Sequence, residues 1–234
     1  MSMISIIQSV CLRIGVPSPN AVATSQDTQY LQLLALLNEA ASSLCTKPWQ
    51  SLRRQATFNT VAAEIQGSVA TICPGMSYIT NDTIWNRTLR RPVFGPLSAQ
   101  DWQWQKAIFS AGPWSQFRVF QNNINFFPIP SAGQECDFEY TSNYYATDST
   151  GVTYQSSFLA DADLSVLDEE LLALGTIWLW KANKGLDFGT DYQKFDNRMT
   201  NLIGRDGSKP ILNMSGDKVG IAPAIMVAAG SWMV

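Results

Sequence analysis

Apolar residues recur at steps of three and four in the first part of the chain, which is the spacing of one face of a helix. The first such stripe is made of Ile4, Ile7, Cys11 and Ile14. It predicts a short helix that stops at Gly15. A second stripe runs through residues 30–44 and predicts a longer helix, with Asp27 as its N-cap, that ends before Pro48. We expect the two helices to pack together as a hairpin.

The middle of the chain changes to alternating apolar and polar residues with frequent turn signals, over residues 51–159. This pattern predicts a mostly β region. Its clearest hairpin joins residues 117–120 to residues 124–127, with the Asn pair at 122–123 in the tight turn, because Asn tolerates positive φ angles. One helix is expected inside this region, opening at Ser98.

Helical spacing returns at Leu164 and predicts a helix that runs to Gly185. Acidic residues near its start and lysines near its end suit the helix dipole. A last helix, with Phe195 on its apolar face, is expected to end at Gly204 or Gly207.

The order of helices, then strands, then helices predicts an α+β fold. We expect the N- and C-terminal helices to form an antiparallel helical bundle, with an antiparallel β region inserted at one end and an extended C-terminal tail. In this division residues 1–50 and 160–207 form a discontinuous helical core domain. Residues 51–159 form an inserted β-rich domain, and residues 208–234 form a docking tail.

The tail, residues 208–234, loses all periodicity, is rich in Gly, Ala, Pro and Met, and has almost no charge after Lys218. An apolar segment that packs against nothing is an aggregation hazard, and its extended length reaches about 90 Å. We therefore expect it to dock on a partner by strand addition or in a groove. Folding back on its own domain is the alternative. The expected docking residues are Ile211, Leu212, Met214, Val219, Ile221, Pro223, Ile225, Met226, Val227, Trp232 and Met233.

Candidate catalytic chemistry is scarce. The chain has no His, the commonest general acid/base group and metal ligand near neutral pH. No nucleophile motif or phosphate-binding loop occurs, and four scattered cysteines without a CxxC pair predict free buried thiols. The one dense acidic cluster, between Asp161 and Glu170, lies mostly at a predicted helix start, where acids stabilise free N–H groups. We therefore predict no catalytic, cofactor-binding or metal-binding residues.

Composition favours contact surfaces. Hydrophobic residues make up 46% of the chain and charged residues only 15%, with eight tryptophans, as expected of surfaces covered by other proteins. A monomer with a polar, uncharged surface is the alternative. The net charge of −3 argues against capture of nucleic acid, although a channel that lets DNA slide is compatible with it. We expect no signal peptide and no insertion into a membrane.

Tryptophans and arginines of the β region are the expected intersubunit or tail-facing residues. The Trp side chains suit interface anchors, core residues or a stacking platform for a sugar. The arginines lie near predicted strand edges, where ion pairs are the expected use and contact with DNA phosphate is the alternative. These candidates are Trp85, Arg87, Arg90, Arg91, Trp102, Trp104 and Trp114.

The helix segment 33–40, the turn 47–52 into the strand 56–60, the strand at Trp85 and the helix pair within 171–202 share their layout with a known family. In this layout the chain resembles the head-to-tail adaptor, or tail accessory, proteins of short-tailed bacteriophages. The resemblance implies a non-catalytic virion protein that assembles as a ring, expected to be dodecameric, between portal and tail. DNA passes through the ring without specific binding.

Further expectations follow from the same resemblance. The partners it implies are the portal protein, which binds the C-terminal extension, and tail nozzle or tail-fibre proteins. It implies a place in the virion neck after synthesis in the host cytoplasm. Two alternatives from other functional classes stay open, a virion-associated cell-wall hydrolase and a carbohydrate-binding β module.

Overall fold

The computed structural model describes residues 2–108 and 114–207, which form an α+β fold with antiparallel sheets, as predicted. The helices are α1 (Met3–Ile14), α2 (Thr28–Leu44), α3 (Val69–Ile72), α4 (Ala99–Ile108), α5 (Glu169–Asn183) and α6 (Gly189–Asp206), with a 3-10 turn at Gln50–Leu52. The strands are β1 (Arg53–Asn59), β2 (Ile65–Ser68), β3 (Met76–Ile79), β4 (Trp85–Asn86), β5 (Arg91–Pro92), β6 (Gln116–Phe120), β7 (Asn123–Phe127), β8 (Glu135–Ser142), β9 (Ala146–Thr147), β10 (Tyr154–Gln155) and β11 (Leu164–Ser165).

The described strands form three sheets. The largest has the order β1-β8-β4-β5, and β3 also pairs with β8. A second sheet has the order β2-β7-β6, and a small third sheet has the order β10-β9-β11. Every strand pair in the three sheets is antiparallel.

Helix α5 lies at the centre of the helical part, because α1, α2 and α6 each pack mainly against it. Gly175 lets two of them approach closely: a Cβ at this position would lie 3.1 Å from Ala40 Cβ on α2 and 3.2 Å from the ring of Phe195 on α6. The predicted hairpin of α1 and α2 is only a minor contact, since both helices bury their apolar faces on α5 instead.

The expected helix start at Leu164 is wrong, because α5 begins at Glu169. Leu164 belongs to β11, which pairs with β9 and is bridged by Ser2. Asp168 is the N-cap of α5, and its carboxylate accepts a hydrogen bond of 2.8 Å from the backbone N–H of Leu171. The apolar spacing extends past the helix start because Val166 and Leu167, between β11 and α5, pack in the same hydrophobic cluster as α5.

The hairpin of β6 and β7 is confirmed, but its turn lies one residue earlier than predicted. Phe120 pairs with Asn123, so the turn residues are Gln121 and Asn122, with φ angles of 48° and 61°. The register is set by the buried face, on which Phe117 lies opposite Phe126. A slip by one residue would turn these rings away from the core.

Helix ends follow the predicted capping residues closely. The carboxylate of Asp27 accepts the N–H of Gln29 at 2.9 Å at the start of α2. Ser98 precedes α4, and its hydroxyl accepts the N–H of Asp101 at 3.1 Å. Helix α1 ends at Gly15, whose φ of 74° is left-handed.

Two hydrophobic clusters fill the interior. The first surrounds α5, and Tyr145 and Phe158 from the middle of the chain also pack in it. The second lies among the two larger sheets, where Phe117, Phe126 and Phe138 are almost fully buried. All four cysteines are free and buried, as predicted. The described strands and helices thus leave a limited set of surfaces for function.

Candidate interaction surfaces

The outer side of the largest sheet carries a small pocket that brings together two of the predicted contact residues. Trp85 from β4 and Arg87 from the following turn line a pocket of about 250 Å³. Asp137 of β8 lies directly opposite Trp85 and lines the same pocket. An aromatic wall beside charged groups is a typical anchor point for a partner side chain.

A single arginine compensates the buried carboxylate of this pocket. Asp137 is 8% exposed, and its Oδ2 accepts hydrogen bonds from Arg87 Nε at 3.0 Å and from Gln55 at 3.3 Å. Its other oxygen has no hydrogen-bond partner among the described residues. Arg87 therefore forms an ion pair within its own chain, whereas its expected contact with a neighbouring subunit stays a prediction.

A second surface combines Phe94, Trp114 and Arg91. The two rings meet edge to face with centroids 5.9 Å apart, and each side chain is nearly half exposed, at 45% and 47%. The Arg91 guanidinium lies 6.0 Å from the centroid of the Trp114 ring. Exposed aromatic pairs with a neighbouring arginine have the composition of interface hot spots.

The two tryptophans of α4 have different roles. Trp102 is 4% exposed and packs edge to face on Phe127, with centroids 6.2 Å apart. The prediction that Trp102 is a contact residue is therefore wrong, because its ring is buried in the protein interior. Trp104 is 59% exposed and is available for contact.

The remaining predicted contact residues are dispersed. Arg90 is exposed in the turn between β4 and β5, with a left-handed φ of 54°. The tail residues from Ile211 to Met233 lie outside the described residues, so their docking stays a prediction.

A groove beside α1 is the surface that the sequence pattern did not predict. It has a volume of about 810 Å³ and lies between α1, the start of α5 and the middle of α6. Leu12 lines it and is 75% exposed. The available signal was that Leu12 follows Cys11 and therefore lies off the buried stripe of α1. Its apolar wall consists of Ile6, Leu12, Val166, Leu167 and Ala173.

Two forked ion pairs lie along this groove. Arg13 donates to both oxygens of Glu170, at 2.6 and 2.8 Å, and Arg198 donates to both oxygens of Asp168, at 2.8 and 3.0 Å. The hydrogen bond from Arg13 lowers the pKa of Glu170 and outweighs its burial. Burial raises the pKa of Asp168, but hydrogen bonds from Arg198 and a backbone N–H bring it below its usual value. These pairs hold the start of α5 to α1 and α6.

The other acids of the cluster hold loops rather than a helix start. Asp161 accepts hydrogen bonds from two backbone N–H groups in the loop between α1 and α2, at 3.0 and 2.9 Å. Asp163 accepts two from the chain just before it, at 2.7 and 2.8 Å. The helix-start interpretation, made for most of the cluster, thus holds for Asp168, Glu169 and Glu170, whereas Asp161 and Asp163 stabilise loops. The carboxylates of Asp161, Asp163, Asp168 and Glu170 all have structural partners.

A smaller cavity of about 340 Å³ lies where α6 ends. Leu202, Arg205 and Asp206 line it on the α6 side. Residues 166–168 line both this cavity and the larger groove, so the two meet there. The chain leaves α6 at Gly207, beside the smaller cavity.

Residues 2–108 and 114–207 were also considered for a metal site and for a membrane-spanning helix, and they contain neither. Within these ranges no group of His, Cys, Asp and Glu side chains is placed to hold a metal ion. Among the same residues, no helix has the length and apolar character needed to cross a membrane.

Comparison with known proteins gives one informative match. A family model described as "SU10 adaptor protein" matches residues 1–215. A search of curated proteins gives no match. The family match covers all the described residues and extends eight residues past Gly207.

Proposed function

Since the chain belongs to the SU10 adaptor protein family, a family of phage head–tail adaptors, we propose that it assembles as a ring between portal and tail and surrounds the DNA channel. The family match over residues 1–215 is the observation that carries this proposal. Membership implies a structural, non-enzymatic role, a place in the virion neck, and contact with portal and tail components. Family membership does not itself imply the ring, its dodecameric size or the unspecific passage of DNA, and these are parts of our proposal.

Surface chemistry supports a role in contacts. A ring needs two different patches on each copy, because each subunit contacts its neighbours head to tail. The pocket at Trp85 and the aromatic pair of Phe94 and Trp114 are two separate surfaces with anchor chemistry. The net charge of −3 favours sliding over capture of DNA in a central channel.

The domain division is part of the same proposal. We assign residues 1–50 and 160–207 to a helical core domain and residues 51–159 to a β-rich insertion. Two separate hydrophobic clusters support the division. The packing of α1, α2 and α6 against α5 supports the antiparallel helical bundle that we propose for the core domain. Tyr145 and Phe158, near the end of the insertion, pack in the helical cluster. The last part of the insertion therefore contributes to the core of the helical domain.

The C-terminal tail is proposed to bind the portal, and the other end of the ring to bind tail nozzle or tail-fibre proteins. The tail, residues 208–234, is largely apolar, with Lys218 as its last charged residue, and residues 216–234 lie beyond the family match. Contact with a partner would remove these side chains from water.

The test is electron microscopy of the full chain mixed with the portal protein of its phage. End-on views with rotational symmetry, stacked on the portal, are expected. Co-sedimentation with the portal should be lost when residues 216–234 are deleted. Particles in which the chain binds the portal without ring symmetry would contradict the ring, and undiminished co-sedimentation of the truncated chain would contradict tail docking.

A further inference from the structure

The groove beside α1 is unusual because its apolar wall includes a leucine that a soluble helix would normally bury. Leu12 is 75% exposed, although the rest of α1 buries its apolar face on α5. Full burial of a leucine stabilises a protein by about 1.5–3 kcal/mol. A groove of about 810 Å³ with such a wall has room for several side chains of an apolar segment.

The chain itself supplies a segment next to the groove. The described part ends at Gly207, and the last turn of α6 lines the smaller cavity that meets the groove at residues 166–168. From Asp206 back to Arg198, which lines the groove, the helix rises about 12 Å. Eight extended residues span up to about 27 Å, so residues 208–215 reach the groove from the end of α6.

The family match separates these eight residues from the rest of the tail. It continues past Gly207 and stops at residue 215. Residues 208–215 contain Ile211, Leu212 and Met214 and one charged residue, Lys209, a composition that fits an apolar groove.

We propose that residues 208–215 turn back after α6 and occupy the groove of their own chain, covering Leu12. The occupant is the same chain because the groove begins beside the residues that precede the segment. Only residues 216–234 would then extend to a partner. The inference rests on the groove and the family limits, and it holds whether or not the protein forms a ring.

The first test is photo-crosslinking in the full chain, with p-benzoylphenylalanine in place of Leu12. We expect links within one chain to residues 208–215, with a yield that does not change when the protein is diluted. The matched control is the same probe at Val152, which is 74% exposed and lies outside the groove and should not reach this segment. Links to a second copy, or no links to residues 208–215, would overturn the proposal.

The second test measures access to the groove. In a Leu12→Cys variant the introduced thiol can be alkylated selectively, because the native cysteines are buried. Adding Leu212→Asp places a charge against the apolar wall, and alkylation should become at least about tenfold faster, since burying an unpaired charge costs well over the 1.4 kcal/mol of a tenfold population change. Val227→Asp, outside the segment, should leave the rate unchanged.

An equal alkylation rate in the Leu212→Asp and Val227→Asp variants would overturn cis docking. Portal binding is measured separately by co-sedimentation, as described above. Loss of cis docking with intact portal binding refutes only this inference, and intact cis docking without portal binding refutes only the proposed function.

Discussion

Three helices approach closely at Gly175, and we therefore predict that Gly175→Ala destabilises the protein, although helix propensity alone would predict the opposite. Glycine is the poorest helix former apart from proline, so Gly→Ala in a helix interior normally stabilises by about 1 kcal/mol. At Gly175 the added methyl would lie 3.1 Å from Ala40 Cβ and 3.2 Å from a ring carbon of Phe195. Both distances are shorter than ordinary carbon contacts of about 3.5–4.0 Å.

Overpacking decides the sign of the change. The Phe195 ring can tilt, but Ala40 Cβ is fixed to the backbone of α2, so α2 and α5 must separate. Inserting a methyl into a packed core costs about 1–3 kcal/mol. After subtracting the propensity gain, we expect Gly175→Ala to lower the free energy of unfolding by about 1 kcal/mol. For a chain of this length that corresponds to a fall in Tm of about 2–4 °C.

Urea unfolding followed by tryptophan fluorescence measures this change as a lower midpoint at constant slope. The matched control is Gly204→Ala in α6, where an added Cβ meets no atom within 4 Å. This variant should gain about 0.5–1 kcal/mol. If both variants stabilise the protein equally, α2 and α5 can separate at no cost, which would contradict tight packing of the helices at Gly175.

Three more predictions concern pH, a turn and the thiols. The pKa values of Asp168 and Glu170 are lowered in the folded state. Their contribution to stability is therefore fully present above the unfolded pKa and is lost as the pH falls through the folded pKa. The melting temperatures of the wild type and of Asp168→Asn, measured from about pH 6 to about pH 2, should converge on acidification. Gln121→Gly should stabilise by about 0.5 kcal/mol in urea unfolding, because Gln121 adopts a φ of 48°, and a loss of stability would contradict the turn. Burial raises the pKa of Cys136 to about 12, so a thiol reagent at mild pH should label the native chain slowly and all four cysteines only after denaturation; fast native labelling would refute their burial.

Local chemistry explains which parts of the fold could be predicted from the sequence. Asp27 and Ser98 indicate helix starts because their side-chain oxygens accept hydrogen bonds from backbone N–H groups two or three residues later in the chain. The β6–β7 hairpin is also local. Its turn was displaced by one residue because register depends on which rings face the core, and a short sequence cannot show this.

Long-range packing explains what could not be predicted. Leu164 has helical spacing with Leu171, but it lies in β11. There it pairs with Thr147 of β9, which lies far before it in the sequence. The groove at Leu12 is formed by three segments from opposite ends of the chain. The pocket at Trp85 depends on Asp137, which strand pairing brings opposite it. None of these neighbours has a fixed spacing in the sequence.

The central place of α5 determines how assembly can be tested in this protein. Because α1, α2 and α6 surround α5, substitutions on its buried faces act on folding and say little about partners. Among the described residues, contacts between subunits are expected on the outer helices and on the β region, where Trp104 and the ring of Trp114 are exposed. A substitution at one of these positions that changes ring formation while leaving the urea midpoint unchanged would therefore identify a contact surface directly, since loss of the core is excluded by the same measurement.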